Sequence, residues 1–355
     1  EVLEEERMTR YVGRLAPSPT GALHLGNVRT FMIAWLRARS QGGKVIFRME
    51  DLDHPKDKPG AAAQAVEDLR WLGFDWDEEY VQSERKHIYR VALESLRTQT
   101  IEQSEQSNDR TIPLVYPCVC SRKDVEAAQA APHAGEQLYY PGTCRGRFAT
   151  WQEAREFKHR DTETPRSEPC WRFRVPDHTV VSFDDAFAGH YEQDVSKTLG
   201  DFPLARDEFG AGYTLACAVD DLLMGVTEVV RGDDLLSATP AQILLAKALC
   251  HSTIRRFGNS TISYCHVPLV VGRDGRRLAK RHGDTRVAAY RAAGVAPERV
   301  LGFLARSCGW GDGSPTTLRE LLGACDFAAI PHAPFRVSEQ LICDIMYAKQ
   351  SGVKT

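Results

Sequence analysis

One stretch near the amino end, Arg14-Leu15-Ala16-Pro17-Ser18-Pro19-Thr20-Gly21-Ala22-Leu23-His24-Leu25-Gly26-Asn27, restricts what this chain can fold into more than any other segment. Tyr11 to Ala16 reads as a short apolar strand, and Pro17 and Pro19 end it because neither can donate a ladder N–H. After Gly21 the apolar residues Val28, Phe31, Met32 and Trp35 share one helical face, with Arg29, Arg37 and Arg39 largely off it. A loop running from a strand end onto a helix N-terminus presents free N–H groups and the positive end of the helix dipole, which suits an anion. His24 and Asn27 lie in the first turn, where either can donate to a phosphate oxygen. The pattern predicts an α/β fold around a nucleotide-phosphate loop.

The rest of the chain extends that reading. Lys44 to Asp53 is an apolar run ending in carboxylates, as expected of a buried parallel strand, and it puts Glu50 at the carboxyl end, where ligands of open α/β sheets gather. Ala61 to Leu72 is a second amphipathic helix, followed by a turn at 73–76. Residues 98–111, rich in Gln, Ser, Glu, Asn and Thr, read as a mobile surface insertion. From Tyr116 to about Val195 short strands, prolines, aromatics and cysteines suggest an inserted module. The α/β pattern then returns: Tyr213 to Val219 as a strand, Thr227 to Arg231 as another, Thr239 to Leu249 as a helix with Pro240 in its first turn, and His266 to Val271 as a further strand. The remainder to about Ala324 is helical. The expected division is 1–115 and 196–284 for the two halves of a catalytic domain, 116–195 for the insertion, 285–325 for a helical appendage, and no domain in 326–355.

A chain of 355 residues has room for a full core. A net charge of −3 argues against indiscriminate nucleic-acid binding, although a local basic patch suffices for RNA. No apolar run approaches the ~20 residues of a membrane span, and the acidic start Glu1-Val2-Leu3-Glu4-Glu5-Glu6 is unlike a signal peptide, so a cytoplasmic protein with no membrane partner is expected. Ten cysteines scattered over such a length fit reduced thiols and a metal site better than a disulfide scaffold. Cys118-x-Cys120 followed by Cys144 offers three thiolates, which with a fourth donor can close a tetrahedral zinc site; thiolates select zinc over Mg²⁺ or Ca²⁺. Tyr140, His133, His159 and Cys170 are candidate fourth donors. Asp220 and Asp221, adjacent on an expected strand, would point to opposite faces and are assigned a structural role. Gly272 to Arg281 packs five cations against one acid beside an Asp-Gly turn.

The segment Pro17-Ser18-Pro19-Thr20-Gly21-x-Leu23-His24-x-Gly26 resembles the first signature of class I aminoacyl-tRNA synthetases of the glutamate and glutamine branch, with His24-Leu25-Gly26-Asn27 where the class shows His-Ile-Gly-His. Arg277-Leu278-Ala279-Lys280-Arg281 resembles the second signature, Lys-Met-Ser-Lys-Ser; Arg277 keeps the first charge and Ala279 lacks the hydroxyl. The likeness covers Arg10 to about Ala324. It implies a Rossmann-type core with an inserted zinc-containing module and a C-terminal helical appendage. It also implies that ATP, with Mg²⁺, is held by His24, Asn27 and Lys280, and that His24 and Lys280 are catalytic, Lys280 stabilising charge as a carboxylate attacks the α-phosphate.

A glutamate ligand needs cations for its two carboxylates and an acid for its ammonium. The resemblance supplies Arg14, Leu15, Ala16, Pro17, Ser18, Glu50, Tyr213 and Arg231, with Arg231 setting specificity, and it makes Tyr140 the fourth zinc ligand beside Cys118, Cys120 and Cys144. Ordinary members continue into an anticodon-binding domain of ~100 residues or more, whereas here about thirty residues follow the helical region. The likeness is therefore greatest to a short branch that activates L-glutamate and esterifies it to the queuosine base in the anticodon loop of tRNA(Asp); a monomer is expected. An ordinary or truncated enzyme charging tRNA(Glu), and a non-catalytic tRNA-binding paralogue, are the alternatives.

Overall fold

A computed structural model describes residues 11–52, 57–102, 111–128, 138–160, 168–251, 261–276, 278, 285–338, 340–342 and 345. The amino-terminal half opens with β1 (Val12–Leu15), α1 (Leu25–Ser40), β2 (Lys44–Met49), α2 (Ala61–Trp71) and β3 (Glu78–Val81), whose strands form a parallel sheet in the order β1-β2-β3. β2 is buried from Val45 to Met49, which is why it reads as a continuous apolar run. α3 (Lys86–Arg97) follows. The expected surface insertion begins and ends in a small antiparallel ladder, β4 (Thr100–Glu102) against β5 (Thr111–Pro113); the segment between lies outside the described residues.

The cysteine-bearing region carries β6 (Val115–Cys118), α4 (Arg122–Ala128), α5 (Trp151–His159), β7 (Cys170–Phe173), then β8 (Val180–Asp185), β9 (Gly189–Asp194), α6 (Val195–Thr198) and β10 (Phe202–Ala205). β6, β7 and β10 form an antiparallel sheet of their own. The later part of the chain adds α7 (Tyr213–Leu223), β11 (Glu228–Gly232), α8 (Thr239–Cys250), β12 (Ser263–Val267), β13 (Val270–Gly272), α9 (Val287–Ala292), α10 (Pro297–Ser307), α11 (Leu318–Leu322) and β14 (Phe335–Val337). The third sheet has the order β11-β12-β8-β9. Residues 180–194, expected in the inserted module, thus supply two strands to the sheet of the second half.

The parallel sheet β1-β2-β3 and the mixed sheet β11-β12-β8-β9, in which β8 and β9 are antiparallel, meet at β1 and β11. Thr227 N donates to Val12 O and Val12 N to Thr227 Oγ1, both at 2.9 Å, while Arg37 binds both Glu228 oxygens at 2.6 Å. β1, β2, β11 and β12 therefore end on one side of the molecule, with their carboxyl ends together.

Other sequence expectations are corrected. Tyr213–Val219 is helical, because Leu215, Val219 and Leu222 already have helical spacing and a short apolar run does not distinguish strand from buried helix. Arg29 is not off the buried face of α1: it is 1% exposed and donates to Ser307 Oγ at 2.9 Å and Pro268 O at 2.8 Å, tying α1 to α10. Pro268 divides the expected 266–271 strand into β12 and β13. The segment after Ala324 is built into the core, with Ile330, Val337, Ile342 and Ile345 buried and β14 parallel to β13. Among the described residues no helix is long and apolar enough to cross a membrane.

α2 and α9 meet through a misaligned ion pair: Arg291 Nη2 lies 3.2 Å from Asp68 Oδ1, yet neither buried Asp68 oxygen receives a hydrogen bond. Burial pushes the Asp68 carboxyl up to about 6, against the opposing pull of Arg291. A raised folded-state value means stability from this group is full below the unfolded pKa near 4 and is lost as pH rises through about 6. Asp68→Asn should therefore stabilise the protein by about 1–2 kcal/mol at pH 8 and hardly at pH 4. Urea unfolding at the two pH values checks this, and equal effects at both would refute it.

Candidate active site

The loop after β1 and the start of α1 border a cleft of about 560 Å³, lined among others by Ala16, Pro17, Ser18, His24, Asn27, Glu50, Tyr213, Arg231 and Leu278. A smaller cavity of about 270 Å³ adjoins it, sharing Ser18, Thr20, Glu50 and Tyr213. The loop is fixed to the strand end by Glu50 N donating to Pro17 O at 2.9 Å.

His24 is the N-cap of α1. Its Nδ1 accepts from Gly26 N at 3.1 Å, and Asn27 Oδ1 accepts from His24 N at 3.2 Å, a reciprocal capping box. An accepting Nδ1 leaves the proton of the neutral imidazole on Nε2, the atom that can donate to a phosphate oxygen. Asn27 likewise keeps its amide NH₂ as a donor. A Cβ at Gly26 would sit 3.1 Å from the His24 ring, so a side chain there would press on the cap. The first motif is thus a cap as much as a binding loop.

Glu50 follows β2 and is 8% exposed. Its Oε1 accepts from Arg48 at 2.9 Å and lies 3.3 Å from Cys217 Sγ, so Oε2 is the oxygen available to a ligand ammonium. Arg48, completely buried, also donates to Asp221 Oδ1 at 2.6 Å. Asp220 accepts from Gln82, Arg85 and Tyr89. The two aspartates have the structural role expected of them, from a helix rather than a strand.

Arg14 is not among the residues that line the cleft. It donates to Val230 O at 2.9 Å, and its buried Nε has no hydrogen-bond partner, the nearest acid being Asp221 at 3.9 Å. The Leu15 side chain is wholly in the core. Tyr213, the first residue of α7, is 42% exposed at the cleft.

Arg231 stands opposite His266 in the parallel register of β11 and β12. Its Nε donates to His266 Nε2 at 2.9 Å and its Nη2 to Thr239 Oγ1 at 2.7 Å. His266 Nδ1 is 2.6 Å from Asp185 Oδ2. Burial pushes the imidazole below its ordinary pKa, and Arg231 adds to this against the pull of Asp185. Sequence reasoning missed Arg48, Asp185, Thr239 and His266. Only Arg48, a cation inside an apolar run, carried a local signal of a buried partner.

Lys280, with Arg277, Ala279 and Arg281, lies outside the described residues. The chain on either side is attached to the cleft: Leu278 lines it, and Arg286 pairs with His24, Leu25 N donating to Thr285 O at 3.0 Å.

At the cysteine cluster, the sulfurs of Cys118, Cys120 and Cys144 lie within 4.8 Å of one another and could hold a metal ion. Tyr140 Oη is 3.2 Å from Cys118 Sγ and 3.8 Å from Cys120 Sγ, and Cys120 and Cys144 sulfurs are 3.7 Å apart. Arg172 donates to Cys118 Sγ at 3.2 Å and stacks on the Tyr140 ring at 3.8 Å. Hydrogen bonds from Cys120, Cys144 and Cys170, with Arg172 beside them, hold the Cys118 thiol far below its ordinary pKa. Of the other candidate donors, Cys170 is the register partner of Cys118. His159 is 3.9 Å from Glu168, and His133 lies outside the described residues.

Residues 10–330 match the family of tRNA synthetases class I (E and Q), catalytic domain, and the chain belongs to that family. Among solved structures it resembles a glutamate tRNA ligase from Elizabethkingia meningosepticum in complex with its amino acid, with a TM-score of 0.72 and 25% identity, covering 95% of this chain and 68% of that one. The fold is therefore the class I synthetase catalytic fold. Within the family the chain groups with the Glutamyl-Q tRNA(Asp) synthetases: it is 44% identical to that of Symbiobacterium thermophilum over 93% of this chain and 97% of the relative, and 44% identical to that of Rhodopirellula baltica over 88% and 89%. The Glutamate--tRNA ligase 1 of Halorhodospira halophila is 37% identical over 82% of this chain and 57% of its own length.

Proposed function

We propose that the chain is a ligase that activates L-glutamate with ATP and transfers the glutamyl group to the queuosine base of tRNA(Asp). The observation that carries the chemistry is the placement of one acid and one aimed cation, Glu50 and Arg231, on the same cleft as the His24 cap. Glu50 takes the ammonium and Arg231 the side-chain carboxylate, with Tyr213 and the Arg14 to Ser18 segment closing round the ligand and Leu15 contributing backbone only. His24 Nε2, Asn27 and the N-terminus of α1 take the ATP phosphates, which arrive with Mg²⁺. The glutamate α-carboxylate attacks the α-phosphorus, pyrophosphate leaves, and Lys280 stabilises the charge that builds. A hydroxyl of the queuosine base then attacks the acyl carbon and AMP leaves. The relatives' names support this acceptor.

We read the parallel strands β1 to β3 together with β11 and β12, joined at β1 and β11, as one Rossmann-type core. The cysteine-bearing module interrupts it and α9 to α11 form a helical appendage. A tRNA acceptor places the reaction in the cytoplasm, and we take the acting species to be a monomer. Glutamate-dependent ATP–pyrophosphate exchange without tRNA, then transfer of labelled glutamate to tRNA(Asp) with and without queuosine, tests the function. Transfer is expected only with queuosine and is expected to survive removal of the terminal adenosine; loss on that removal would identify a 3′-charging enzyme instead.

The cysteine cluster fits zinc. With Zn–S near 2.3 Å and Zn–O near 2.0 Å, tetrahedral geometry needs sulfur pairs about 3.8 Å apart and sulfur–oxygen pairs about 3.5 Å apart, close to the separations among Cys118, Cys120, Cys144 and Tyr140. Bound zinc would supply structural cross-linking and help the phenol release its proton. Arg172 offsets the negative charge of the ligands. About one Zn²⁺ per chain is expected, with loss of metal and looser folding of the module in Cys120→Ser. Full zinc in a Cys118→Ala/Cys120→Ala variant, by elemental analysis, would refute the assignment.

A further inference from the structure

We propose that His266, fixed by Asp185, is a positioning residue that aims Arg231 while leaving its positive charge for the substrate, and so sets preference for a carboxylate over an amide side chain. This rests on the reading of Arg231 as the glutamate-binding cation. The proton positions follow from the contacts. Arg231 Nε–H can only donate, so His266 Nε2 accepts at 2.9 Å and the imidazole proton must be on Nδ1. Asp185 Oδ2 receives that proton at 2.6 Å. Asp185 cannot turn away, because its Oδ1 accepts from Phe187 N at 3.0 Å, Ala188 N at 2.8 Å and His266 N at 3.0 Å. Thr239 Oγ1 lies 3.1 Å from Leu235 O and 3.0 Å from His266 Nε2, so its one proton goes to either of these acceptors and its oxygen accepts from Arg231 Nη2 in both cases. Two of the three guanidinium nitrogens are held, and Nη1 is the one left for a ligand.

The acceptor type matters. A carboxylate against Arg231 would orient the guanidinium but neutralise it, and a substrate carboxylate would then compete with an internal one. A neutral imidazole orients the cation and leaves its charge uncompensated, with the Asp185 charge displaced to the far side of the ring. The charged groups facing His266 are Asp185 from β8, Arg231 from β11, Arg14 from β1 and Asp233 just after β11; Tyr264 on its own strand stacks at 6.2 Å. Protonation of His266 would remove the acceptor and set two cations together.

Asp185→Asn tests this. The amide can keep the three backbone bonds through its oxygen while its NH₂ donates to Nδ1, moving the imidazole proton to Nε2, where it opposes Arg231 Nε–H. The glutamate KM in pyrophosphate exchange should rise about 10–30-fold, the scale of a lost hydrogen bond to a charged group, with the ATP KM within about twofold and selectivity over glutamine falling about tenfold. His266→Gln, whose side chain offers an acceptor near the Nε2 position, should stay within about threefold of wild type, whereas His266→Phe should behave as Asp185→Asn. The wild-type glutamate KM should also rise at acid pH, below the ordinary histidine range, and His266→Gln should lack that limb. Equal losses in the Gln and Phe variants, or an unchanged KM in Asp185→Asn, would overturn the role of His266. No glutamate-dependent exchange in the wild type would instead overturn the glutamate reading itself.

Discussion

Replacing Arg231 by glutamine should lower kcat/KM for glutamate activation by about 10²–10³-fold, roughly 3–4 kcal/mol and within the about 2–5 kcal/mol typical of removing one partner from a buried, hydrogen-bonded charge pair. The loss should fall on the glutamate KM and leave the ATP KM nearly unchanged, since the proposed phosphate ligands are His24, Asn27 and the N-terminus of α1 rather than Arg231. Arg231→Lys should not restore activity, because one ammonium cannot reach His266, Thr239 and a ligand together in the forked geometry of a guanidinium. Pyrophosphate-exchange kinetics decide the matter. An Arg231→Gln enzyme within threefold of wild type would place the side-chain carboxylate elsewhere.

A comparable effect, on stability, is expected at Arg48. This side chain has no exposure and serves two carboxylates, Glu50 at 2.9 Å and Asp221 at 2.6 Å. Arg48→Met leaves both acids in the core without their cation, a change that costs about 3–5 kcal/mol. Adding Asp221→Asn should recover part of the loss, because one buried charge then disappears. Chemical unfolding of the three proteins at neutral pH is the measurement; a deficit below about 1 kcal/mol in Arg48→Met would show that the network is better solvated than its burial implies.

The local parts of the site were legible because local physics makes them. Proline stops, helical spacing and the His24 cap all lie within a few residues of one another, and the carboxyl-end rule put Glu50 at the end of β2, while Arg231 came from the resemblance; both line one cleft. Tyr213 was located by sequence in the wrong element: an apolar run bounded by glycine suits a strand as well as a buried helix, and only packing chooses. The supporting network was not legible. Arg48 and Asp221 are 173 positions apart and His266 and Asp185 are 81 apart, so nothing in a local window links them. Strand order creates those pairs, and strand order is a property of the whole chain. The tail carried no signal for the same reason: three residues of β14 gain meaning only beside β13.

That last pairing has a consequence for the order in which the enzyme becomes complete. β13 leads directly toward Lys280, and its parallel partner is residues 335–337, with Arg336 Nη1 donating to Arg273 O at 3.2 Å. During synthesis from the amino end, the His24 cap, Glu50 and Arg231 can all be assembled while β13 still waits for a strand made later. A nascent chain can thus form most of its cleft before β13, whose Val270 lines that cleft, has its partner.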